Sequence, residues 1–222
     1  KEKKEIQETS DAKSILIGIA IIILLFIVIF GSFSAYNYLY KPKVATFEEL
    51  HQQNINGELA ENEGYMYNGF SFIFADGLWW TDIKVIGKIV RTPLHYGPRE
   101  LQDIIIEGSL NSSFKRGDTV YVVIDPEVVS GHYVVAMNEI SANIAQGTGR
   151  NSKGACSKNV AGCEDREILN CKNTQSLPVI ELINEPGPSV KLKGTCIQVI
   201  GQDYDIIKSA DRLLYQWYGV MD

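Results

Sequence analysis

A run of polar side chains within residues 125–143 holds the best candidates for chemistry in the chain. Asp125, His132 and Glu139 form a weak catalytic set, in which the histidine could exchange a proton with either acid. They follow a predicted buried strand and enter a predicted helix, and ligands of α/β proteins tend to bind at such strand ends. Glu139 and Asn143 are four residues apart, so one helical face would carry both. The region predicts a small-ligand site or a hydrolytic site.

The same residues also have an ordinary structural explanation. Asp125-Pro126 is typical of a turn, and polar residues opposite an apolar helical face are normally solvated. The chain contains no nucleophile elbow, zinc-protease motif or dinucleotide-binding motif. We therefore predict no cofactor and no metal site, and we favour a non-enzymatic function over catalysis.

The cysteines indicate disulfide bonds. All of them lie in the C-terminal half, at Cys156, Cys163, Cys171 and Cys196. Two disulfides would use all four, and the sequence leaves the three possible pairings open. Structural zinc sites usually pair ligands two to four residues apart, and these gaps are wider; a redox pair of the C-x-x-C type is also missing. Because disulfides persist in oxidising compartments, residues 147–222 are predicted to be the disulfide-bearing part of an extracytoplasmic domain.

Residues 15–33 form an apolar run that matches the thickness of a bilayer. As a helix the run would be about 28 Å long, close to the ~30 Å hydrocarbon core. Tyr36, Tyr38 and Tyr40 follow it, as aromatic residues do at a membrane interface. A cleaved signal sequence is the main alternative, although its apolar core would be shorter. A pilin-like helix is less favoured, because no acid lies within the run.

Lysines beside this run predict its orientation. Lys1, Lys3, Lys4 and Lys13 precede it, whereas only Lys41 and Lys43 follow closely, so we expect the N-terminus to be cytoplasmic. The predicted organisation is a cytoplasmic tail (residues 1–13), a single transmembrane helix with its interface belt (14–40), a juxtamembrane stalk (41–65) and an extracytoplasmic domain (66–222). A net charge of −6 argues against a nucleic-acid partner.

The remaining sequence predicts an α+β fold, in which the transmembrane helix precedes a mixed α/β ectodomain. Asp76-Gly77, between two aromatic-rich runs, predicts a β-hairpin. Residues 130–146 have helical spacing that ends at Gly147, and the segment that follows reads as a long irregular loop. A C-terminal helix is predicted from about Asp203 to Gly219, with Asp203 or Asp205 as its cap.

The closing phrase DIIKSADRLLYQWYGVMD and the cysteine-bearing loop before it resemble uncharacterised single-span, membrane-anchored proteins of archaea. The resemblance covers the last third of the chain and implies a membrane-anchored outer domain without assigning any residue a role. Asn111 heads a glycosylation pattern, which is a frequent chance match. The partners expected are the lipid bilayer and another envelope or membrane protein. A tethered hydrolase or small-ligand binder using residues 125–143 is the alternative.

Overall fold

A computed structural model describes residues 2–40, 45–85 and 87–222. The chain divides into two compact units, residues 1–46 and residues 47–222. In the first unit, helix α1 (Glu2–Tyr40) contains one stretch, Lys13–Tyr40, that is long and apolar enough to cross a membrane. Its large apolar side chains are exposed along the whole stretch, for example Ile15 at 63% and Phe30 at 66%. This excludes a core helix of that unit, whereas a membrane anchor and a signal sequence both have this character.

The second unit begins with helix α2 (Phe47–Ile55) and an antiparallel four-stranded sheet. The strands are β1 (Gly64–Tyr67), β2 (Phe70–Ala75), β3 (Leu78–Val85) and β4 (Lys88–Leu94), in spatial order. The predicted hairpin is confirmed: β2 and β3 are joined by Asp76 and Gly77, whose φ angles of 54° and 79° are those of a tight hairpin turn.

A mixed six-stranded sheet forms the rest of the unit. It contains β5 (Ile106–Leu110), β6 (Thr119–Ile124), β7 (Asn151–Cys156), β8 (Val179–Ile183), β9 (Ser189–Gly194) and β10 (Cys196–Ile200). Their order is β5-β9-β10-β8-β6-β7. Strands β7, β6, β8 and β10 run parallel to one another, while β9 is antiparallel to β10 and parallel to β5.

Two helices cover one face of this sheet, and the cysteine-bearing segment covers the other. Helices α3 (Gly131–Asn143) and α4 (Tyr204–Trp217) share a core with the sheet through side chains such as Ile140 and Leu213. Val123, Ala155 and Cys196 face the opposite side and pack with Leu169 of the cysteine-bearing segment. The alternation of strand side chains between faces accounts for this three-layer arrangement.

Helix α4 joins the two sheets into one folded unit. Ile206, Ile207 and Leu213 pack with the six-stranded sheet and α3, whereas Leu214 and Tyr215 pack with the four-stranded sheet. Because elements pack against it on two sides, most side chains of this C-terminal helix are buried. The sequence predicted the helix itself. Asp203 precedes α4 with φ 51°, but its side chain makes no capping hydrogen bond.

Three segments differ from the sequence prediction. Of the predicted stalk, residues 41–44 lie outside the described residues, and residues 47–65 belong to the folded unit, since α2 packs on the first sheet and buries His51 and Asn54. The predicted irregular loop begins with strand β7, which is an exposed edge strand without an apolar run. Helix α3 continues as a π-helical turn, Ile144–Thr148, and the left-handed residue that ends it is Gly149 rather than Gly147.

Candidate functional site

Parallel strands bring three polar residues to one edge of the six-stranded sheet. Asp125, Ser157 and Asn184 directly follow the ends of β6, β7 and β8, which point in the same direction. The carboxyl edge of parallel strands is where α/β folds usually bind ligands. This edge of the sheet is therefore a candidate ligand-binding site.

A cleft of about 570 Å³ opens at this edge. Its charged and polar lining residues are Asp125, Ser157, Lys158, Asn170, Lys172, Glu181, Asn184, Glu185 and Gln198. The remaining lining residues, Val128, Leu182 and Ile183, are aliphatic, and no aromatic residue borders the cleft in the described part of the chain. Pockets for small organic ligands and cofactors are mostly apolar and often aromatic. The cleft is instead suited to a hydrated, polar ligand.

Lys158 forms ion pairs with two acidic residues at the cleft. Its Nζ lies 2.9 Å from Asp125 Oδ2 and 2.5 Å from Glu127 Oε2. Hydrogen bonds to Glu127 and Asp125 raise the pKa of Lys158, so the lysine stays charged and balances the two acids. Ser157 Oγ is buried and has no hydrogen-bond partner among the described residues. Because no base contacts this hydroxyl, it is available as a hydrogen-bond donor rather than activated as a nucleophile.

The two disulfides, Cys156–Cys163 and Cys171–Cys196, hold the segment that borders the cleft. The backbone N–H of Cys171 donates to Glu181 Oε2 at 2.9 Å, and Gln198 Nε2 lies 3.4 Å from the same oxygen. Cys171, Cys196 and Glu181 thus lie close together, as metal ligands do. Because both sulfurs are joined in a disulfide, they are not free thiolates and this group does not form a metal site.

The predicted catalytic residues do not converge. Asp125 pairs with Lys158 in the cleft, while the His132 ring packs against Tyr204, with 4.2 Å between ring centroids. Glu139 lies beside His95, with 2.5 Å between Oε1 and Nδ1. Asn143 Nδ2 donates to the backbone carbonyl oxygen of Glu139. The two residues are therefore in contact, but this contact does not involve the carboxyl group of Glu139. The three catalytic candidates thus occupy separate environments.

Glu139 belongs to a buried acid pair that the sequence did not reveal. Its carboxyl group interacts with that of Asp211, which is fully buried and accepts the backbone N–H of Tyr96 at 2.8 Å. Glu139 Oε2 and Asp211 Oδ1 are both buried and find no donor among the described residues. Burial raises the pKa of Asp211 well above its usual value, and the negative charge of Glu139 raises it further. Burial also raises the pKa of Glu139, although the hydrogen bond with His95 opposes this. One shared proton between the two carboxyl groups satisfies both effects.

One signal could have pointed to Asp211. It lies four residues after Ile207 and four before Tyr215, within the apolar stripe of α4. An acid in an apolar stripe requires a buried partner. However, the partners Glu139 and Tyr96 come from distant parts of the sequence, so only the fold identifies them. Asn111, the predicted glycosylation residue, is exposed and accepts the Ser113 N–H at 3.1 Å.

No family model, curated protein or solved structure matches this chain. The cleft and the apolar N-terminal helix are the features of this chain that bear on its function.

Proposed function

We propose that this protein is a membrane-anchored, extracytoplasmic binding module of the cell envelope, which holds a polar segment of another envelope or membrane protein in the cleft at the carboxyl edge of the six-stranded sheet. The polar cleft is the observation that carries this proposal. Its acids, amides and lysines offer hydrogen bonds in several directions, and its aliphatic floor is small. A hydrated protein segment complements such a lining better than an apolar cofactor does.

The charge arrangement favours binding over hydrolysis. Lys158 neutralises Asp125, and the other two members of the predicted catalytic set, His132 and Glu139, lie elsewhere in the fold. General acid–base catalysis requires the acid, the base and the reacting group within hydrogen-bond reach of one another. The catalytic set predicted for a tethered hydrolase is therefore not assembled in the cleft, and this favours the binding function.

The proposed location draws on two separate features of the chain. The exposed apolar helix needs lipid around it, because leaving its side chains in water is unfavourable. The two disulfides belong to an oxidising compartment. Together with the lysines before the helix, they support a cytoplasmic N-terminus and an outer C-terminal domain, anchored by a single membrane span.

A photo-crosslinking amino acid at position 184 tests the binding site in intact cells. Asn184 is exposed and lines the cleft, and we expect a residue there to form a discrete adduct with a membrane or envelope protein. The matched control is the same amino acid at Asn56, which is exposed after the end of α2. Lys158→Gln would leave Asp125 and Glu127 unbalanced and should weaken the adduct about tenfold. Equal adducts at positions 184 and 56, or an adduct insensitive to Lys158→Gln, would contradict the proposal.

A further inference from the structure

The hairpin formed by β3 and β4 ends in an exposed tip of two lysines and an isoleucine. Lys84 pairs with Ile89 across the two strands, and Val85 pairs with Lys88. Ile83 is buried on the core side of the sheet, so its neighbour Lys84 and the partner Ile89 lie on the opposite, outer face. Ile89 is 71% exposed. We call Lys84, Val85, Lys88 and Ile89 the hairpin tip.

Helix α2 covers the outer face of this sheet away from the hairpin tip. The Phe47 ring packs on Trp80, with 4.7 Å between centroids, and His51 Nδ1 lies 2.9 Å from Ser71 Oγ. Glu48 lies 3.7 Å from Arg91, which also pairs with Asp82. The helix therefore starts above Trp80 and Arg91 and continues over β2, so its contacts leave Lys84 and Ile89 uncovered.

The chain enters the folded unit over Trp80 and Arg91, and Arg91 lies two residues from the hairpin tip along β4. Phe47 is the first residue of α2, and the Arg91 guanidinium lies 5.0 Å from its ring centroid. Ile89 is two residues before Arg91 on the same strand, which corresponds to roughly 7 Å. The seven residue steps from Tyr40 to Phe47 reach at most about 25 Å when fully extended. This length allows the hairpin tip to reach the surface of a bilayer that the apolar helix spans.

The charge of the tip is opposite to that of the chain as a whole. The protein has a net charge of −6, whereas the tip carries two exposed lysines. Neither Lys84 nor Lys88 forms a salt bridge in the part of the chain that the structure describes, so both are free to bind anions. Exposed aliphatic residues beside lysines suit a lipid interface, where the apolar side chain enters and the ammonium groups contact phosphates.

We propose that the hairpin tip contacts an anionic bilayer directly, with Ile89 in the interfacial layer and Lys84 and Lys88 on lipid phosphates. This second contact rests on the proposed membrane anchor. It restricts the rotation of the folded unit and turns one defined end of the four-stranded sheet toward the membrane. The sheet edge that carries the polar cleft thereby gains a fixed orientation for its partner.

The test uses the full-length chain in vesicles of equal parts phosphatidylcholine and phosphatidylglycerol. A cysteine replacing Ile89 carries an environment-sensitive fluorophore, and lipids with a shallow nitroxide quench it if it enters the interface. Ile55→Cys is the matched control, because Ile55 is 57% exposed and lies at the other end of α2, about 12 Å along its axis. We expect blue-shifted, quenched emission at position 89 and little of either at position 55. Lys84→Gln together with Lys88→Gln should lower the equilibrium constant for contact between the tip and the bilayer roughly thirtyfold.

Flotation of the vesicles separates the two proposals. If the protein floats but the fluorophore at position 89 is quenched no more than the one at position 55, the tip contact is refuted while the anchor stands. A blue shift without nitroxide quenching would indicate a protein contact, such as a second copy of the chain, and would also refute it. A protein that does not float would refute the anchor and the tip contact together.

Discussion

Reduction of the Cys171–Cys196 disulfide is expected to lower the free energy of unfolding by about 3.5 kcal/mol, from the loop-closure entropy of the unfolded chain. The two cysteines are 25 residues apart, so the bond restricts a long unfolded segment. Cys156 and Cys163 are only 7 residues apart, and the same relation gives about 2.4 kcal/mol for their bond. The long-range bond should therefore stabilise the fold more than the local one.

Two variants isolate the bonds in urea unfolding of the full-length chain. Cys156→Ala with Cys163→Ala retains only the long-range bond, and Cys171→Ala with Cys196→Ala retains only the local one. The effect of reductant on each variant then reports its remaining bond, because both sulfur atoms stay in place. A larger effect of reductant on the variant that retains the local bond, or no effect on either, would contradict the pairing.

The long-range bond should also matter for the cleft. It joins Cys196 of β10 to Cys171, whose neighbours Asn170 and Lys172 line the cleft. Cys171 itself donates its backbone N–H to Glu181. Loss of this bond should therefore weaken the adduct at position 184.

Asp211→Asn is expected to stabilise the protein near neutral pH by more than about 1.4 kcal/mol, the free energy that corresponds to one unit of upward pKa shift, because the pKa of Asp211 is raised well above its usual value. An amide can accept the Tyr96 N–H and donate to Glu139, as a protonated Asp211 does. The folded protein holds a proton on this acid that the unfolded chain releases. Thermal or urea unfolding of the variant and the natural protein across pH would measure the difference.

The raised pKa of Asp211 determines how the stability gain of Asp211→Asn depends on pH. A group whose pKa is raised on folding contributes its full stability below the unfolded value, here 3.8, and loses it as the pH rises through the folded value. The gain from Asp211→Asn should therefore vanish below pH 3.8 and grow above it. Asp211→Ala removes the acceptor for Tyr96 and should not stabilise. A destabilised Asp211→Asn variant near neutral pH would contradict a shared proton.

Asp82→Asn is a control whose effect on the free energy of unfolding should have the opposite direction. A hydrogen bond with Arg91 lowers the pKa of Asp82, against a smaller opposing effect of burial. Its contribution to stability is present above the unfolded value of 3.8 and is lost as the pH falls through the lowered folded value. The substitution should therefore destabilise near neutral pH, and this effect should fade in acid.

Local patterns predicted those parts of the fold that local chemistry determines. Asp76-Gly77 forms the hairpin turn because these residues tolerate positive φ, and the apolar spacing of α4 matches the surfaces on both its sides. Strand β7 was not predicted because the sequence of Asn151–Cys156 has no apolar alternation. The strand forms through backbone pairing with β6. Helix α2 was assigned to a stalk because its buried residues, His51 and Asn54, are polar.

The candidate site also contains residues that local sequence predicted and residues that only the fold brings together. Asp125 was identified because it follows a buried strand, and the structure places it in the cleft. Ser157, Asn184 and Gln198 come from three other strands, and the order of strands in a sheet is not written in any one segment. Glu139 was assigned to the same site as Asp125, but the turn of α3 directs it toward Asp211 and His95.

Labelling from outside intact cells tests the central claim, which is that the C-terminal unit is outside and the N-terminal tail inside. Single cysteines are introduced at Glu58, which is exposed in the folded unit, or at Glu5 in the tail, and are treated with a membrane-impermeant maleimide. We predict labelling of Glu58→Cys in intact cells and of Glu5→Cys only after permeabilisation. The reverse pattern, or recovery of the intact protein in the soluble fraction, would contradict the claim.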